Sequence, residues 1–117
     1  MTLEEKLVAA VVPIVPICRP HYYRRNPDEE MPEEFCSYSF YSTPVLHADS
    51  KPSALKKNFN LHYTCPMHEN PEPRKMQLCK AIAAAGFTFP SIENVTDSTD
   101  TVQCFAFEFE GVEYGTV

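Results

Sequence analysis

A chain of 117 residues, 44% apolar with six Tyr and eight Phe, is composed as one globular domain and not as a disordered segment. At this length roughly 65% of the unfolded surface can be buried, so folding requires neither a metal nor a disulfide. A formal net charge of −6 excludes a general nucleic-acid binder with a broad basic face. Five Cys without a CxxC pair exclude a regular disulfide framework and fit reduced thiols in a chain made in the cytosol.

The first element is a helix over about residues 3–12. Thr2 and Glu5 form a T-x-x-E capping box, Leu3, Leu7, Val8, Val11 and Val12 fall near helical spacing, and Pro13 limits the run. The apolar stretch "LVAAVVPIVPIC" is preceded by "MTLEEK", nearly the reverse of the basic start of a secretory leader. With two prolines it is also too short to span a bilayer, so no membrane association is expected. "PIVPICRPHYY" continues as an extended segment whose prolines exclude a central strand position. Residues 24–34 form a polar loop carrying Asp28, Glu29, Glu30, Glu33 and Glu34.

"FCSYSFYS" and "NFNLHYTC" both alternate in the manner of half-buried strands. Cys36, Tyr38 and Phe40 share one face of the first; Phe59, Leu61, Tyr63 and Cys65 share one face of the second. Between them, Asp49-Ser50-Lys51-Pro52 is turn chemistry, so the pair is expected to form a long hairpin protruding from the core. Pro71 and Pro73 introduce a second helix that Gly86 ends, with Met76, Cys79, Ile82 and Ala83 as its buried stripe and Leu78 beside it. "TFPSIENV" and "TVQCFAFEFEGV" complete the chain as a strand pair. The expected architecture is α+β in the order α-β-β-α-β-β. Its sheet is four-stranded, antiparallel or mixed, with both helices packed on one face.

His62, Cys65, His68 and Cys79 fall within eighteen positions and raise the question of a metal. A structural zinc site needs four converging nitrogen or sulfur ligands. Cys65, His68 and Cys79 are the candidates, with one usable spacing between Cys65 and His68. His62 and Cys65 point to opposite faces of a strand, and Cys79 sits on an apolar helix stripe where a thiol acts as a small hydrophobe. These residues are therefore read as core cysteines and surface histidines, and no metal or cofactor is expected. No cysteine opens a helix or follows a glycine-rich turn, and three glycines leave no phosphate loop, so no enzyme is expected either. The basic pairs Arg24-Arg25 and Lys56-Lys57 are read as solvated surface.

The order "TLEEKLVAAV", "VPI" into "HYYRR", a polar loop, "FCSYSFYS", a hairpin, "NFNLHYTCP", "PRKMQLCKAIAAAGF" and "CFAFEFEGV" resembles the small tail-terminator, or tail-completion, proteins of long-tailed bacteriophages and prophages. The resemblance covers roughly residues 1–112. It implies a virion protein, made in the host cytoplasm, that assembles with itself as a ring, commonly a hexamer. Such a ring caps the tail tube protein and meets the head-connector protein, while DNA passes through its channel without specific binding. It carries over no catalytic residues. Partner surfaces are then expected on the hairpin at 43–58 and the loop at 24–34, through Glu29, Glu30, Glu33, His47, Asp49, Lys51, Lys56 and Lys57. Two other readings stay open: a free-standing ferredoxin-like module that binds a peptide or small molecule, and a metal-dependent regulatory domain using Cys65, His68 and Cys79.

Overall fold

Helix α1 (Leu3–Val11) starts at the capping box read from the sequence: the Glu5 N–H donates to Thr2 Oγ1 at 3.2 Å and the Thr2 N–H to Glu5 Oε1 at 3.5 Å. The computed structural model describes residues 2–20, 34–46, 52–97 and 102–114. Leu3, Leu7 and Val11, spaced four apart, form the buried face of α1, whereas Val8 is half-buried and Val12 exposed. The helix stripe is thus narrower than the apolar run that encodes it.

Among the described residues the order is α-β-β-β-α-β-β, with one strand more than expected. The extra strand, β1 (Cys18–Pro20), comes from the proline-rich extended segment. It lies parallel to β2 (Phe35–Leu46) in the register Cys18↔Cys36, Arg19↔Ser37 and Pro20↔Tyr38, and the Cys36 N–H donates to the Ile17 carbonyl at 2.8 Å. Its edge position is what the prolines permit, because an edge strand needs partners on one side only. β2 pairs antiparallel with β3 (Pro52–Pro66), β3 with β5 (Val102–Tyr114), and β5 with β4 (Ser91–Asn94). The sheet is therefore five-stranded and mixed, in the order β1-β2-β3-β5-β4, where four strands were expected.

Register stacks the core in rows. Cys36, Tyr63 and Phe105 stand side by side, then Tyr38, Leu61 and Phe107, then Phe40, Phe59 and Phe109. Both helices cover this face, bringing Leu3, Leu7, Val11, Leu78, Cys79 and Ile82 into one cluster with the strand residues. Each fully buried side chain such as Leu61 or Phe107 contributes about 1.5–3 kcal/mol from removal of apolar surface. Gly111 lets the layers close: a Cβ there would stand 2.9 Å from Phe87 Cδ1 and 3.3 Å from Leu3 Cδ1.

Helix α2 (Glu72–Ala84) begins after Asn70, whose Oδ1 accepts the Glu72 N–H at 3.2 Å. It ends in a Schellman turn, with Gly86 at φ 104°, the Phe87 N–H on the Ile82 carbonyl and the Gly86 N–H on that of Ala83. Its buried stripe differs from expectation at Met76, which is 50% exposed, and at Ala83, which is only half-buried. Leu78, Cys79 and Ile82 define the inward direction, and at 3.6 residues per turn Met76 points about 115° away from it. Lys75 takes the inward position instead, laying its stem on the core with Nζ 4.5 Å from the centre of the Phe105 ring.

Among the described residues no helix is long and apolar enough to cross a membrane. The long axis of 54 Å follows the strands, since β3 alone runs about 50 Å at 3.3 Å per residue.

Candidate functional site

The three thiol and imidazole candidates are not gathered. Cys65 is buried on the helix-covered face of β3, Cys79 is buried on α2, and His68 lies beyond the end of β3 with its side chain 81% exposed, 3.6 Å from Glu69. Among the described residues, no three His, Cys, Asp or Glu side chains are arranged to hold a metal ion. Burial pushes the Cys65 and Cys79 thiols above the ordinary value, which disfavours the thiolate form at both.

The candidate contact residues divide three ways. Glu29, Glu30, Glu33, His47, Asp49 and Lys51 lie outside the described residues. Lys56 is on the uncovered face of the sheet, 3.0 Å from Glu110, with both side chains 42% exposed. Lys57, read from the sequence as solvated, is buried. Its Nζ sits 2.6 Å from Glu4 Oε1 and 2.7 Å from Glu113 Oε2, and 5.1 Å from the centre of the Phe40 ring. Burial disfavours this ammonium, but the hydrogen bonds to Glu113 and Glu4 outweigh it and raise its pKa. Glu113, held by Lys57 and by the Leu3 N–H at 3.4 Å, has its carboxyl pKa lowered. Lys57 thus pins the start of α1 onto the strands and is committed internally.

A second polar network ties the helices to the sheet. The Tyr63 hydroxyl donates to Glu34 Oε2 at 2.5 Å, Arg74 Nε stands 3.5 Å from the same oxygen, and Arg74 Nη1 donates to the Ile14 carbonyl at 2.8 Å. Burial, followed by the bond to Glu34, raises the Tyr63 pKa. The acidic run therefore ends in a residue with a structural task.

One surface open to a partner among the described residues is the far part of β2, β3 and β5. There Phe40, Tyr41, Leu55 and Val112 are each at least 40% exposed. Among the described residues, β1 flanks β2 only as far as Tyr38, and β4 flanks β5 only as far as Glu108, with a single further connection between Thr88 and Glu110. Among the described residues the distal strands consequently have no strand partner on either outer edge, although Pro44 removes one donor from the β2 edge. On the uncovered face a recess of about 490 Å³ is lined by Ser39, Tyr41, Asn58, Asn60, Glu108 and Glu110, among others. Asn60 Oδ1 is buried at its wall and accepts no hydrogen bond among the described residues.

The apolar exposure follows from strand alternation continuing past the ends of the helices, a signal present in "SFYS" and "SALKKNF". The burial of Lys57 was legible in part, because it shares the odd-numbered phase of Phe59, Leu61, Tyr63 and Cys65. Its acidic partners, 53 and 56 positions away, carried no such signal. No protein-family model matches the chain, and no curated protein matches it either.

Proposed function

We propose that this chain is a tail-terminator subunit of a phage or prophage virion, made in the host cytoplasm and acting as a ring of six that caps the tail tube protein and meets the head-connector protein. The observation that supports this reading is the distal arm of β2, β3 and β5, whose outer edges have no strand partner among the described residues and which exposes Phe40, Tyr41, Leu55 and Val112. Two different edges on one arm suit a head-to-tail contact, the kind that closes rings by rotation. A net charge of −6 suits a channel through which DNA passes without capture. The reading gives the chain no catalytic step, cofactor or membrane contact.

The recess beside Asn60 favours a second reading, a binding module for a small molecule or peptide. Tail assembly separates the two. Shortening the chain at Asp49–Pro52, or replacing Tyr41, which is 68% exposed, by Ser, should leave the monomer folded by circular dichroism and abolish capping. Particles assembled without the chain should carry tails of irregular length that fail to join heads. Tails of normal length joined to heads in its absence would refute the terminator reading and leave the binding module.

A further inference from the structure

Five free cysteines are present, and their positions in the sheet are not equivalent. Cys18 and Cys36 are directly opposed on parallel neighbours β1 and β2, so both side chains leave the same face. We propose that Cys18 and Cys36 are a redox pair that closes reversibly into a disulfide stapling β1 to the sheet. Neighbouring strands lie about 4.8 Å apart, inside the Cα separation of about 4.4–6.8 Å that a disulfide spans. Cys65 and Cys104 compete poorly. Cys36 faces Tyr63, which makes Cys65 a diagonal neighbour at about 7–8 Å, beyond easy bridging. Cys104 faces Thr64 on the opposite side of the sheet, where the Thr64 hydroxyl lies 3.7 Å from its sulfur.

The two thiols have different access. Cys18 is half-buried, whereas Cys36 is 1% exposed and is approached from Cys18. β1 is three residues long and has one strand neighbour among the described residues, so a bond at Cys18 would fasten a short element held there by few ladder hydrogen bonds. The oxidant is a low-molecular-weight disulfide. The Cys18 thiolate attacks it, forming a mixed disulfide and expelling one small thiolate; the Cys36 thiolate then attacks the Cys18 sulfur and expels the second. Two protein thiols lose two electrons and two protons, and one small disulfide becomes two small thiols. Burial lifts the Cys18 thiol to about 12 and raises that of Cys36 as well, so the exchange is slow at neutral pH and accelerates as pH rises. Once closed, the bond joins residues 18 and 36 covalently and restricts the unfolded chain, which raises thermal stability.

The test exposes the folded full chain to oxidised glutathione at mildly alkaline pH, blocks residual thiols, and maps disulfide-linked peptides by mass spectrometry alongside thermal melts. The expected result is a dominant Cys18–Cys36 link and a higher Tm, both reversed by dithiothreitol. Cys18→Ser should abolish link and shift together. Cys36→Ala should trap glutathione on Cys18, because no second thiol resolves it. A link to any other cysteine, a glutathione adduct that persists on Cys18 of the unaltered chain, or a link that forms only after denaturation would each overturn the proposal.

Discussion

Ile82→Ala is expected to destabilise the domain by roughly 2–5 kcal/mol, measured as a lower midpoint in urea at unchanged slope. Ile82 is fully buried, and it faces the sheet between Leu78 and Cys79 on α2 and the aromatic rows of β3 and β5. Its carbonyl also accepts the Phe87 N–H in the turn that ends the helix, so the surrounding backbone is held in place and collapses little into the space left behind. That rigidity places the loss well above simple transfer of the missing carbons. Lys80→Ala is the control: Lys80 is exposed on the opposite side of α2, and its replacement should change stability by no more than about 0.5 kcal/mol. Equal effects at the two positions would show that α2 presents a different face.

Lys57→Ala is expected to cost about 2 kcal/mol at neutral pH, less than the 3–5 kcal/mol of a wholly buried pair because Glu4 and Glu113 are partly exposed and regain water. The alanine also removes the buried aliphatic stem that carries the ammonium over the Phe40 ring; Lys57→Met keeps an apolar stem and separates burial from charge. The pH profile distinguishes this ion cluster from an ordinary surface pair. The folded pKa of Glu113 is below its ordinary 4.5, so its contribution is complete above that value and is lost as pH falls through the depressed one. The folded pKa of Lys57 is above its ordinary 10.5, so its contribution is complete below that value and is lost as pH rises through the elevated one. Stability of the unaltered chain should therefore fall at both ends of this window, and both Lys57 variants should show flatter profiles. A profile unchanged by Lys57→Met would show that the cluster contributes nothing.

The amino-acid sequence by itself determined the two helices, their caps, the three long strands and the short strand β4 beside the last of them, because those signals are local. The Thr2 and Glu5 box, Gly86 after α2, and the alternation through Phe59, Leu61, Tyr63 and Cys65 each act within a few residues of chain. Tertiary structure decided the rest. The segment ending in Cys18–Pro20 has too few residues and too many prolines to declare itself a strand; it becomes one because the β2 edge supplies hydrogen bonds. Met76, expected on the buried stripe, yields that place to Lys75 because helix orientation is set by the whole apolar face, and a lysine whose ammonium stands over an aromatic ring can occupy it. The candidate sites divide along the same line. Cys65 and Cys79 were legible as packing residues from their local pattern, whereas the partners of Lys57 and the opposition of Cys18 to Cys36 exist only once distant strands are in register. Periodicity states which face a residue occupies; only the packed sheet states what stands opposite it.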